Sequence, residues 1–183
     1  MAALLYAAIC SLDGYVADEF GSFEWAAPDE EVHAHVNDLQ RGVGTHLLGR
    51  RMYEVMSYWD APDADAGDIE RDFAELWQAA EKVVYSTTLP EVTTRRTRLE
   101  RSFDPSVVRQ LVAAAETEVT VGGADLAGQA LRAGLVGEVR LLLSPVIVGG
   151  GTAALPPGLR LDLALLDERR FGNGVVYLRY ARR

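Results

Sequence analysis

The 183-residue chain is 49% apolar and 25% charged, with 18 Lys and Arg against 27 Asp and Glu and a formal net charge of -9. It is long enough to bury one sizeable core, and no apolar run approaches the roughly 20 residues of a membrane-spanning helix, which excludes the membrane and disordered classes. The acidic balance repels DNA and anionic lipid, so neither nucleic acid nor a membrane is an expected partner.

Ala2 to Cys10 is almost continuously apolar, the pattern of a central strand covered on both faces. It ends at the turn Ser11-Leu12-Asp13-Gly14. Pro28 followed by Asp29, Glu30 and Glu31 predicts a helix start with proline in the first position. Val32, Val36, Leu39 and Val43 then recur at the helical period until Gly42. A strand Thr45–Leu48 leads through Gly49 into a helical stretch Arg50–Ser57, and a loop runs from Trp59 to Gly67. Ile69, Phe73, Leu76 and Ala80 make one stripe of a helix Asp68–Ala80, before a strand Lys82–Tyr85 closed by Ser86-Thr87-Thr88.

The segment with Arg95, Arg96 and Arg98 reads as exposed coil, and Asp104-Pro105 as the cap of a helix reaching Glu116. Val119–Val121 is a strand, Gly122-Gly123 a turn, and Ala124–Ala133 a helix stopped at Gly134. From Glu138 onward helices disappear: Val139–Leu143, Arg160–Phe171 and Val175–Tyr180 read as strands, the last two joined by the hairpin turn Gly172-Asn173-Gly174. Strand–helix alternation up to residue 134 implies right-handed crossovers, so the expectation is one α/β domain over residues 1–183. Its sheet is mixed but mostly parallel, with a C-terminal antiparallel hairpin.

One cysteine and three histidines cannot build a structural zinc site, and His33 and His35 point in different directions on their helix. Cys10, in a buried strand, reads as a small hydrophobe with no disulfide partner. The first residues lack a basic n-region and a cleavage site, and the expected location is the reducing cytoplasm. No P-loop is present, and Gly42-Val43-Gly44 precedes a strand where a dinucleotide fingerprint must follow one.

Three strand-to-helix junctions remain: Leu48-Gly49-Arg50-Arg51, Tyr85-Ser86-Thr87 and Val121-Gly122-Gly123-Ala124. Each lies at the carboxyl end of an expected parallel strand, where open α/β sheets bind ligands. Free amides at a helix N-terminus attract phosphate, and Arg, Ser and Thr bind its oxygens. A tight turn alone explains any one of these glycines; all three together point to a phosphate-bearing ligand.

The same residues carry a family resemblance. Ser11-Leu12-Asp13-Gly14-Tyr15-Val16-Ala17, Leu48-Gly49-Arg50-Arg51-Met52-Tyr53-Glu54, the Val121–Leu126 stretch followed by Ala133-Gly134-Leu135-Val136, and Pro145–Gly151 resemble, in order, the bacterial dihydrofolate-reductase-like family that includes the reductase domain of the riboflavin biosynthesis protein RibD. The resemblance implies a dihydrofolate reductase-like three-layer fold, a homodimer, and hydride transfer from NADPH to a small-molecule substrate of pterin-like or pyrimidine-like type. It places Gly49, Arg50 and Arg51 at the adenosine 2'-phosphate, with Ser86 and Thr87 nearby. The pyrophosphate falls to the stretch Val121, Gly122, Gly123, Ala124, Asp125 and Leu126, with a cis Gly122–Gly123 peptide, and the nicotinamide to Ala8 and Ile9. Asp13 and Glu30 are the acids it brings to the substrate side, although Asp-Gly is a good turn in itself and a helix's first turn is acidic for dipole reasons. Trp25, Tyr53 and Trp59 line a substrate pocket or fill the core. One departure stands out: Val121 occupies the place where RibD-type reductases commonly carry a glutamate. This motivates a second reading, a nucleotide-binding or regulatory module without turnover.

Overall fold

Leu4, Leu5 and Tyr6 open the first strand, β1 (Leu4–Ser11), at 2% exposure or less, covered on both faces as an unbroken apolar run requires. The structure is a computed structural model that describes residues 4–183, so Ala2 and Ala3 of the expected strand lie outside the described residues. The elements that follow are β2 (Tyr15–Ala17), α1 (Glu30–Gln40), β3 (Val43–Gly49), α2 (Arg50–Met56), α3 (Asp68–Ala79), β4 (Glu81–Tyr85) and β5 (Thr97–Glu100). After these come α4 (Pro105–Ala114), β6 (Glu118–Gly122), α5 (Ala124–Arg132), β7 (Val136–Ser144), β8 (Thr152–Ala153), β9 (Leu163–Arg170) and β10 (Val176–Arg182).

Eight strands form one sheet in the order β5-β4-β3-β6-β1-β7-β10-β9, parallel except for β10, which runs antiparallel to both neighbours. On one face Val32 of α1 packs on Leu142, Phe171, Val175 and Tyr177, while Tyr53 of α2 and Phe73 and Trp77 of α3 pack on Leu48 and Val84. On the other, Val108 of α4 and Leu126, Ala127, Ala130 and Leu131 of α5 cover Leu4, Tyr6, Leu47, Val83 and Val121. These three layers are the expected mixed α/β architecture with a C-terminal antiparallel hairpin.

Several boundaries differ from the sequence reading. The Asp29 carboxylate accepts the Val32 amide at 3.0 Å, making Asp29 the cap and leaving Pro28 outside the helix. Satisfying an orphan amide outweighs proline's preference for the first turn. Helix α1 stops at Gln40, and Val43 starts β3 instead of ending the helix. The expected coil around Arg98 contains a strand, β5, paired in parallel with β4. A second, two-stranded sheet of β2 with β8 was absent from the sequence reading. Strand β9 starts at Leu163 instead of Arg160, and the Gly122–Gly123 peptide is trans.

The loop carrying β8 is pinned to the core by the Tyr6 hydroxyl, which donates to the Ala154 carbonyl oxygen at 2.7 Å; both residues are at 2% exposure or less. A Tyr6→Phe substitution leaves that carbonyl without its partner. It is expected to cost about 1–2 kcal/mol, read as a lower urea midpoint with unchanged m-value.

Candidate functional site

Strands β4, β3 and β6 end level with one another: Tyr85 pairs with Gly49, and Leu48 with Gly122. Their neighbour β1 does not stop there. It pairs with β6 only as far as Tyr6–Val121 but with β7 as far as Ser11–Ser144. From Ala7 onward β1 therefore has a strand on one side only, and Ala7, Ala8 and Ile9, in the middle of an eight-stranded sheet, are only half-buried. The result is a ledge made by three strand ends against a wall made by the extension of β1. Such a crevice outside the carboxyl ends is where open α/β sheets take ligands.

Two of the three junctions touch. A Cβ at Gly123 would stand 3.4 Å from Met52 Cβ and 3.7 Å from the Gly49 amide nitrogen. At Gly122 it would lie 3.0 Å from Leu48 Cδ2 and 3.2 Å from Met52 Cγ. Gly123 also has φ of +92°, which side-chain-bearing residues rarely adopt, so this turn requires its glycine on conformational grounds as well as space. It leads directly into α5, whose first amides face the ledge as unsatisfied donors. Val121 (1% exposed) and Leu126 (4%) are core residues, so what they offer a ligand is backbone; Ala124 is half-buried and Asp125 exposed.

The third junction joins through side chains. Arg50 Nη1 donates to Thr88 Oγ1 at 2.9 Å while its Nε pairs with Glu54 Oε1 at 2.7 Å. Ser86 Oγ accepts the amides of Thr88 and Leu89, which leaves the hydroxyl proton free to donate, and Thr87 is exposed. Arg101, which the sequence reading missed, bonds the carbonyl oxygens of Ser86, Leu89 and Pro90 at 3.2, 2.6 and 3.3 Å and so holds the loop after β4 in shape. The two neighbouring arginines of α2 thus differ. Arg50 is committed to Glu54 and Thr88, whereas Arg51 is exposed and has no ion-pair partner among the described residues.

The two expected acids stand at the same end of the sheet without meeting. Asp13 Oδ1 accepts the Val148 amide at 3.2 Å and Oδ2 the Gly149 amide at 2.8 Å, tying the end of β1 to the glycine-rich loop after β7. The Ser11 hydroxyl and these amides hold its carboxyl below the ordinary aspartate range, so it stays ionised. Glu30 is exposed at the start of α1. Its neighbour Glu31 is bound by Arg169 and by the Gly172 amide, both at 3.0 Å, which anchors the helix to the β9–β10 turn. Tyr53 is buried in the core, its hydroxyl oxygen accepting the Thr93 amide at 2.9 Å. Trp59 packs on Phe73 and on the rim of the same cluster. Cys10 is 1% exposed, and burial pushes its thiol up to about 11, the state of an inert thiol.

Among the described residues no three of His, Cys, Asp and Glu gather to hold a metal ion, and no helix is long and apolar enough to cross a membrane.

Comparison with known proteins gives a consistent picture. The family described as the RibD C-terminal domain matches residues 2–177. The uncharacterized protein YyaP of Bacillus subtilis (strain 168) is 25% identical over 171 residues, spanning 93% of this chain and 89% of that protein. A solved structure from Shewanella sp. PV-4, provisionally assigned to riboflavin biosynthesis, superposes with TM-score 0.78 at 20% identity over 99% of each chain. A diaminohydroxyphosphoribosylaminopyrimidine deaminase/5-amino-6-(5-phosphoribosylamino)uracil reductase of Thermotoga maritima gives 0.68 at 14% identity, over all of this chain and 57% of that one. Dihydrofolate reductase from Enterococcus faecalis, complexed with NADP(H), gives 0.65 at 12% identity over 99% and 96%. At these identities the structural likenesses show a shared fold.

Proposed function

The chain belongs to the RibD C-terminal domain family, and from that membership we propose that it is an NADPH-dependent reductase of a small heterocyclic substrate, pterin-like or pyrimidine-like, acting as a homodimer in the cytoplasm. The observation that carries this reading is the ledge of three level strand ends beside the half-exposed extension of β1.

The residues fit a phosphorylated dinucleotide. Gly122 and Gly123 present bare backbone at the foot of α5, where the amides through Leu126 suit a pyrophosphate. Arg51 is the free cation for a 2'-phosphate, with Gly49 giving close approach. Arg50 and Arg101 hold Thr88 and Ser86 in place beside it. Ala8 and Ile9, on the open side of β1, would border the ring that reacts. NADPH when bound supplies a hydride, and the protein's share is position and exclusion of water. Asp13, ionised and bound to two amides, orients the loops at the substrate mouth.

Fluorescence titration tests this. Saturable NADPH binding is expected, and Arg51→Ala should weaken NADPH about tenfold, the size of one charge-assisted contact, while NADH changes less than threefold. Absence of saturable NADPH binding, or equal loss for both cofactors, would refute it.

One observation favours a second reading, a nucleotide-binding module without turnover. No carboxylate precedes the glycine pair, because Val121 is a core residue, and that of Asp13 is already bound. Oxidation of NADPH by any pterin, flavin precursor or quinone would exclude it.

A further inference from the structure

Over β7, β10 and β9 the sheet face that α4 and α5 cover elsewhere carries no helix. Only the last turn of α5 and the irregular segment Leu155–Leu161 border it. The ladder pairs Leu143 with Val176, Leu141 with Leu178 and Val139 with Tyr180, then Tyr180 with Leu165 and Arg182 with Leu163, so these side chains form rows on one face. β7 and β10 are interior strands, yet Leu141, Leu143, Val176, Leu178 and Tyr180 are only half-buried. On the edge strand β9, Leu165 and Leu166 are each 50% exposed, the latter being the extra residue of a bulge. Between this face and the Leu155–Leu161 segment lies an apolar groove of about 300 Å³. Interior strands with one wet apolar face are incompletely buried, and a patch of this kind marks an interaction surface.

We propose that a second copy of this chain covers the face, two β7-β10-β9 faces packing about a two-fold axis with the leucines of each β9 entering the groove of the other. Three arguments select this occupant. The face is self-complementary in shape, since it offers a projecting leucine pair and an apolar groove side by side, as an isologous contact demands. Its charges suit a copy of itself: Glu168 pairs beside Leu178, Arg170 beside Val176 and Arg182 beside Leu163. A two-fold can therefore set acid against base. Residues 156–183 hold six arginines against three acids in a chain of net charge -9, so two acidic molecules meet here with the least repulsion. The area is also sufficient. Three strands about 4.8 Å apart and seven to nine residues long at about 3.3 Å per residue span roughly 15 Å by 25 Å. That is more than half of the roughly 600 Å² per partner of a small stable interface, and the Leu155–Leu161 rim adds to it.

This surface specifies the homodimer of the reading above and is independent of the cofactor. Sedimentation velocity at micromolar concentration is expected to give twice the 20.0 kDa chain mass. Leu165→Glu, at a half-exposed position that tolerates a charge, should raise the dimer dissociation constant at least 100-fold with an unchanged circular dichroism spectrum. Val107→Glu, 55% exposed on α4, should leave the dimer intact. A wild-type monomer at every concentration, as an apolar ligand or a different protein on this face would give, overturns the proposal, as does a dimer indifferent to Leu165→Glu. NADPH binding by the monomeric variant would separate this interface from the cofactor site.

Discussion

Glu138→Gln is expected to cost about 3 kcal/mol of stability, which for a chain of this length lowers the melting temperature by about 10 °C. The Glu138 carboxylate, on β7, is 11% exposed and serves two arginines. Oε1 accepts Arg140 Nε at 2.6 Å and Arg179 Nε at 2.8 Å, and Oε2 accepts Arg179 Nη2 at 2.9 Å. Burial works against the charge, yet the hydrogen bonds from Arg179 and Arg140 prevail and hold this carboxyl below the ordinary glutamate value. Removing the charge leaves Arg140, 7% exposed, with Glu118 alone, at 3.2 Å and itself 39% exposed. That remaining partner, and the 38% exposure of Arg179, place the loss at the low end of the range for a broken buried pair. Glu118→Gln should cost under 1 kcal/mol, because its carboxylate is largely solvated. Joint replacement of Glu138 by leucine and Arg140 by methionine should recover most of the Glu138→Gln loss, since it removes the burial cost along with the attraction. Urea denaturation of the three variants checks the order, and a Glu138→Gln loss below 1 kcal/mol would show that the network contributes little.

What was legible in the amino-acid order was what short-range patterns encode. The unbroken run through β1, the Asp104-Pro105 start of α4 and the strand-end glycines each follow from a few neighbouring residues, and with them came the sheet, the crossovers and the ledge. β5 escaped because Thr97-Arg98-Leu99-Glu100 is an edge strand with one apolar side chain facing the core, a pattern indistinguishable from coil. The little β2–β8 sheet joins residues more than 130 apart, and no local signal announces it. Distance also hid the actual employment of Asp13, which read equally as a turn residue or a substrate acid. Its carboxylate closes a contact with amides 135 and 136 residues away. Arg101 and Thr88 were missed for the same reason: the bonds that make them part of the site span 11 to 38 residues. The choice between Arg50 and Arg51, adjacent and alike in sequence, depended on which of them already had partners.

Acidification from pH 6.5 to about 4 is expected to remove about 3 kcal/mol of stability through one side chain, His46. It sits on β3 at 8% exposure in a row of polar residues that the ladder aligns across three strands, Lys82 of β4 on one side and Thr120 of β6 on the other. His46 Nδ1 is 2.8 Å from Thr120 Oγ1, and Trp77 lies over both the imidazole and Lys82, whose Nζ donates to the Trp77 carbonyl oxygen at 2.9 Å. Burial, and then the Lys82 ammonium, depress the imidazole from its ordinary 6.5 to about 4. Because the folded value is the lower one, the unfolded chain takes up the proton first. The stabilising contribution is complete above pH 6.5, shrinks as pH falls, and is gone below about 4. His33 and His35 are depressed in the same direction but less buried, and each adds to the same slope. The lowered carboxylates, Glu138, Asp13 and Asp72 among them, act only below their ordinary values of 3.8 to 4.5, so the interval from 6.5 to 4.5 isolates the histidines. His46→Gln keeps a partner for Thr120 and cannot take up a proton. Urea denaturation at pH 7.0, 5.5 and 4.5 should show the wild-type free energy falling by about 2–3 kcal/mol and the variant falling by less than half as much, whatever their difference at pH 7. Parallel slopes would mean that the buried imidazole is not the group that makes this fold acid-sensitive.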